Sequence, residues 1–247
     1  MRAHGLVKVL FFGSLAAVAA AWWFKDQPPP PERLQVDALD PPVQKAVRKP
    51  PFEASVNGAT YRIQPRYSYD LNAVVVSLHH SDSWWDQAHK EWGDYINVMD
   101  LCVGWGEGVR SGAYRRMSFS NSQWECHISF NSVQAAEAFR VNEFSNNHIV
   151  TDDPAVARAL KGVHVGDQIR LQGYLIDYAT LKDGQVVGSR VSSDNRDDTG
   201  PGACEVLYIE SLEKLASANR NWRIAFYAAL AGVLLSVIFW FTLPMEL

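Results

Sequence analysis

GDQIRLQGYLIDY, Gly166–Tyr178, is the stretch on which the reading of the folded region turns. Ile169, Leu171 and Gly173 alternate with Arg170 and Gln172, the period of a strand with one face inward. Asp183-Gly184 then offers a tight turn into QVVGSRV, Gln185–Val191, so two antiparallel strands follow one another. That succession is the one found in small Greek-key barrels such as OB-folds.

Further strands and helices surround this pair. NAVVVSLH (Asn72–His79) is β-branched and reads as a buried strand, and DLCVGWG (Asp100–Gly106) as another. YRRMSFS and WECHISF, joined at Asn121-Ser122, read as a hairpin, and CEVLYIE (Cys204–Glu210) as the last strand. SVQAAEAFR (Ser132–Arg140) and DDPAVARALKG (Asp152–Gly162) read as short helices. In the second, Asp153 caps, Pro154 takes the first turn and Gly162 lies past the end. The expectation is an α+β domain over residues 58–215. Its sheet is largely antiparallel, curled or closed into a small OB-like barrel, with two or three short helices.

Both ends are apolar. Leu6–Phe24 spans nineteen residues, roughly 28 Å as a helix and close to a bilayer's hydrocarbon thickness. Ile224–Leu243 runs twenty residues without a charge. Tryptophans 22, 23, 222 and 240 stand where interfacial aromatics belong. Residues 1–24 and 222–243 are therefore expected to be transmembrane helices, with a cleaved signal peptide as the rival for the first. Arg2 and Lys8 favour a cytoplasmic N-terminus, a periplasmic middle and a cytoplasmic tail, PMEL. Lys214, Arg220 and Arg223 pull the other way. Small residues in GSLAAVAAA, Gly13–Ala21, would let the helices pack closely. Eight of the twelve prolines fall between Pro28 and Pro51, so residues 25–57 read as an extended linker.

The formal charge is −4, and residues 25–223 carry 21 Lys and Arg against 26 Asp and Glu. An acidic domain is a poor partner for a phosphate backbone, which makes nucleic acid the least favoured ligand. Cys102, Cys126 and Cys204 allow one disulfide in any of three pairings, or none.

SLHHSDSWWDQAHKEW (Ser77–Trp92) looks most like chemistry. His79, His80, Asp82, Asp86 and His89 supply the donor types of a catalytic zinc site. If the strand continues through His79 and His80, however, the two face opposite ways and cannot share an ion. From Ser83 the pattern turns helical, with Trp85, His89, Trp92 and Ile96 in one stripe, so the plainer reading is a turn and a packed helix with His89 buried. Asn146, Asn147 and His148 read as a structured loop, where His148 is a candidate base without an identifiable nucleophile. As catalytic candidates His80, Asp82, Asp86 and His148 are the residues to follow. CVGWGEG lacks the spacing of a phosphate loop, and RDDTGPG lacks the alternating ligands of a calcium loop.

The strings YDLNAVVVSLHHSDSWWD, DLCVGWGE, FSNNHIV and VGDQIRLQGYLIDY, in this order, resemble a group of uncharacterised bacterial membrane-anchored proteins over about residues 60–210. The resemblance implies an envelope setting and carries over no activity and no functional residue. The leading expectation is a bacterial inner-membrane protein that presents its domain as an interaction or accessory module to another envelope protein. A membrane-anchored metal-dependent hydrolase using the 79–89 cluster, and an OB-like nucleic-acid binder on the cytoplasmic side, are the alternatives.

Overall fold

The computed structural model describes residues 3–200 and 202–243. Arg2, Pro201 and the tail 244–247, on which part of the orientation and acidic-loop readings rested, lie outside the described residues. In chain order, α1 (Ala3–Lys25) is followed by β1 (Val43–Ala46), β2 (Phe52–Val56) and β3 (Ala59–His80). Next come α2 (Ala88–Glu91), β4 (Asn97–Gly104), α3 (Gly106–Arg110), the hairpin β5 (Met117–Asn121) and β6 (Cys126–Phe130), and α4 (Val133–Ala138). The remainder is β7 (Phe144–Val150), α5 (Pro154–Lys161), β8 (Asp167–Lys182), β9 (Gln185–Arg190), β10 (Glu205–Ser217) and α6 (Arg220–Thr242).

The chain divides into two units, residues 28–216 and the two ends. In the terminal unit, α1 and α6 are each long and apolar enough to cross a bilayer. They pack through small residues: a side chain on Gly232 would strike Ser14, and Ala21 is buried. Phe24 stacks on Trp222 with ring centroids 4.8 Å apart.

The larger unit is a mixed α+β domain built on an eight-stranded sheet. Its backbone is β3, 22 residues long. β3 pairs with β8 from Thr60 to Val74 and with β4 from Val74 to His80, all antiparallel. β4 then pairs with β7, β7 runs parallel to β10, and β10 lies beside β8. The hydrogen-bonded path thus returns to β3. Two register shifts, at Pro65/Tyr67 and Val75/Ser77, bend β3 enough to serve both neighbours. The core fills the inside with Leu71, Met99, Leu101, Ile149, Ile169 and Leu207, all essentially inaccessible.

Several expectations change on this frame. The proline-rich stretch is not a free spacer, since β1 and β2 both pair with β3 and Leu39 is fully buried. Prolines 41, 42, 50 and 51 bracket β1, a peripheral strand paired only with β3, where a missing N–H is tolerated. Asn146, Asn147 and His148 lie in β7, whose seven residues are all buried, and not in a loop. The ladder to β4 gives their backbone partners that no local asparagine turn could match. The helix expected from Ser83 shrinks to α2, four residues. His89 and Ile96 are buried as expected, but Trp85 and Trp92 are 59% and 66% exposed. The α5 boundaries held: Asp153 Oδ1 accepts from the Ala155 and Val156 amides, and Gly162 ends the helix.

Gly173 marks the seam between β8 and β10. A Cβ there would collide with the Tyr208 carbonyl and stand 3.1 Å from Ile209 Cα, both backbone atoms that cannot move aside alone. Gly173→Ala is expected to lower stability by about 1–3 kcal/mol through overpacking. Gly188→Ala on β9, where nothing lies within 4 Å, is expected to stay within about 0.5 kcal/mol of wild type. Thermal denaturation of the full chain in detergent, followed by circular dichroism, measures both.

Candidate functional site

The sheet register lays out two polar rows across β3, β4 and β7. His79 pairs with Asp100 and Asp100 with His148; one step along, Ser77 pairs with Cys102 and Cys102 with Asn146. Paired residues on adjacent strands share a face, so these side chains all point away from the core residues Leu101 and Ile149. On the far side of β7, Val206 of β10 is level with His148, which brings Cys204 alongside Asn146. The β5–β6 hairpin covers these rows. Of the three possible pairings, the structure has the Cys102–Cys126 disulfide, which ties hairpin to sheet, and Cys204 keeps a free thiol. Trp124, in the hairpin turn with φ +67°, donates its N–H to Asp100 Oδ2 at 2.9 Å and accepts from Asn146 Nδ2 at 2.8 Å.

Asp100 and His148 form the centre. His148 Nδ1 lies 2.6 Å from Asp100 Oδ1, and both side chains are buried. Burial is the largest influence and works against the Asp100 charge, but the His148 bond and charge, the nearby His89 and the Asn97 bond together outweigh it and hold the carboxyl below its ordinary value. For His148 too burial opposes charge, and hydrogen bonds to Asp100 and Cys204 overcome it, pushing the imidazole up to about 9. Arg190 works in the opposite sense, its Nη1 standing 3.1 Å from His148 Nε2. Arg190 also lies 5.1 Å from the Trp124 ring and 3.8 Å from Asp94. Burial pushes the Asp94 carboxyl up, while the Tyr178 hydroxyl, donating at 2.7 Å, pulls it down.

The 79–89 cluster adjoins this centre. His79 Nε2 and His89 Nδ1 each stand 2.7 Å from Asp86 Oδ2, while Asp86 Oδ1 accepts from the His89 N–H at 3.1 Å and Gln123 Nε2 at 3.3 Å. Asn97 Nδ2 donates to His89 Nε2 (3.0 Å) and to Asp100 Oδ1 (3.2 Å). An imidazole that accepts at Nε2 carries its proton at Nδ1, so His89 donates to Asp86. Asp86 is thus a buried carboxylate satisfied by four donors. His80 is not in the group, because β3 continues through it and turns it to the other face. Asp82 lies apart as well, paired with Lys161. His79, Asp86 and His89 are the three that could hold a metal, their ligand atoms within 4.8 Å of one another.

A cavity of about 580 Å³ opens beside the centre, lined by His148, Asn146, Arg190, Cys204 and the disulfide. A second, of about 370 Å³, shares Trp124 and Arg190 and reaches Trp92 and Asp94. The Ser77–Trp92 stretch thus contributes His79, Asp86 and His89 to a wider site that also includes Asp100, Trp124, Arg190 and Cys204. None of those four stands out in sequence, because the register and the hairpin bring them together. The chain matches no protein-family model, no curated protein and no solved structure.

The raised His148 value has a sign that can be tested. A folded-state value near 9 against an unfolded value near 6.5 stabilises the fold fully below about pH 6.5. That contribution, on the order of 3 kcal/mol, is lost as pH rises through about 9. Urea titrations of the full chain between these limits are expected to show the decline, and His148→Gln to flatten it.

Proposed function

We propose that this chain is a bacterial inner-membrane protein, anchored by α1 and α6, whose domain is an OB-like binding module facing the periplasm. The circuit β3–β4–β7–β10–β8 supports the OB-like reading, with five strands, one parallel pair and return to the first. In such barrels ligands bind on the face of the second and third strands, between the first-to-second and fourth-to-fifth strand loops. Here those strands are β4 and β7, and the loops are the segments before Asn97 and after Lys182. The observation that carries the proposal is the 580 Å³ cavity on that face, with His148 and Arg190 in its wall. Pockets of this size accept a small ligand or an inserted peptide segment. The acidic balance of the domain disfavours nucleic acid, and another envelope protein is the partner proposed.

A photocrosslinking residue at Thr199, in the cavity wall, is expected to give a discrete adduct in intact membranes. The same residue at Val186, exposed on β9 outside that cavity, is expected to give none. Equal labelling from both positions, or none from Thr199, rejects the cavity as the binding site.

A second reading rests on the three ligand atoms of His79, Asp86 and His89. Two histidines and a carboxylate suit zinc, which would take the place of the two imidazole protons now donated to Asp86 and could activate water for hydrolysis. Near-stoichiometric zinc in the purified full chain, lost in His89→Ala, carries that reading. Its absence after growth in zinc-supplemented medium returns the cluster to hydrogen bonding.

A further inference from the structure

Resting on the cavity as a ligand site, we propose that Arg190 anchors a carboxylate there, and that the ligand is the C-terminus of a peptide ending in an apolar residue. The guanidinium has more hydrogens than acceptors. Arg190 is the last residue of β9, its backbone paired with Tyr178 of β8, and its side chain is only 21% exposed. Its five N–H groups meet few partners. Nη1 stands 3.1 Å from His148 Nε2. Asp94, the carboxylate it pairs with, stands at 3.8 Å, beyond hydrogen-bond reach. The Tyr178 hydroxyl, a further neighbour, gives its hydrogen to Asp94 at 2.7 Å. A charged group so far withdrawn from water calls for more than this.

His148 sharpens the shortage. Asp100 holds its Nδ1 at 2.6 Å, and the ring is pushed up to about 9. At neutral pH Nε2 therefore carries a hydrogen of its own and cannot accept from Arg190. Two cationic donors then stand side by side, and one anion bridging them satisfies both. Trp124, 5.1 Å from the guanidinium, covers its face and leaves the N–H edge for a ligand. Both residues line both cavities.

The remainder of the wall narrows the ligand. The fork of Arg190 matches the two oxygens of a carboxylate. Asp198 and Glu125 stand in the same wall, Asp198 accepting from the Ser193 hydroxyl at 2.6 Å and Glu125 lying 3.4 Å from His127. With these acids present, a single negative charge is favoured over a phosphate group, which carries close to two. Ile128, Phe139, Val141 and Phe144 supply an apolar surface, with the two phenylalanines stacked at 5.4 Å. Thr199, Gly200 and Gly202 add polar groups that suit a peptide backbone better than a hydrocarbon chain. A carboxylate, a short run of backbone and an apolar side chain together describe a peptide C-terminus.

The test is isothermal titration calorimetry on the full-length chain in detergent micelles, with acetyl-Ala-Leu-Phe as the free acid and as its C-terminal amide. The free acid is expected to bind about tenfold more tightly than the amide, the worth of a hydrogen-bonded charge pair. Arg190→Lys, which keeps the charge and loses the fork, is expected to remove most of that difference. Equal affinity for acid and amide in the wild-type chain overturns the proposal, and this comparison needs no variant to fold. A folded Arg190→Lys that retains the full difference also overturns it. Acetate or inorganic phosphate binding as tightly as the free acid overturns the peptide assignment and makes the site one for a bare anion. No binding of the free acid, with a discrete Thr199 adduct, ends the carboxylate reading and leaves the binding module standing. Failure of the Thr199 adduct rejects the module whatever the peptide does.

Discussion

A strand of 22 residues cannot remain flat beside one partner. Twist accumulates along it, and at about 3.3 Å per residue a strand of this length runs roughly 70 Å. The bulge at Pro65/Tyr67 and the shift at Val75/Ser77 turn that constraint into architecture. The first half of β3 goes to β8 and the second to β4. The two neighbours diverge, and β7 and β10 fill the gap between them. The position of every polar residue in the site follows from this bend. His79 meets Asp100 only because β3 carries its ladder to β4 past the second register shift.

The outward face of β4 and β7 then poses a problem of solvation. Asp100, Asn146 and His148 stand on the side of the sheet away from the core, yet all are buried. An exposed row would need no partners, whereas a covered one needs all of them. The hairpin supplies both the cover and several of the bonds. Its disulfide fixes its height, its Trp124 N–H satisfies Asp100, and Asn121 Nδ2 donates to Asn146 Oδ1 at 3.3 Å. Cover and network are therefore one construction, and the cavity is the space left where the hairpin does not reach the segment after β9.

Much of the frame could be read from the chain. The Gly166–Tyr178 strand, its turn at Asp183-Gly184, the capped α5 and the two apolar ends depend on local chemistry, which period and capping residues report. Opposite facing of His79 and His80 followed from strand geometry alone. What could not be read was set by distant partners. Asn146–Asn147 has a turn composition, but β4 on one side and β10 on the other offer two ladders, and tertiary pairing overrides local preference. The Trp85–Ile96 stripe had helical spacing, yet Asp86 draws His79, His89 and Gln123 inward and leaves both tryptophans outside. Asp100 and Cys204, 104 positions apart in the chain, share no local pattern at all.

The cost of this arrangement bears on its meaning. Two carboxylates, an imidazole and a guanidinium are withdrawn from water within a few bonds of one another, and removing charges from solvent is seldom recovered in full by pairing them. Apolar residues on the same face, packed beneath the same hairpin, would stabilise the domain at least as well. What buried hydrogen-bonded charges secure instead is position: the His148 ring is held at Nδ1 by Asp100, Asp100 by Trp124 and Asn97, and Arg190 by Trp124 and Asp94. Of the side chains so held, His148, Trp124 and Arg190 stand in the wall of one cavity, which Cys204 also lines.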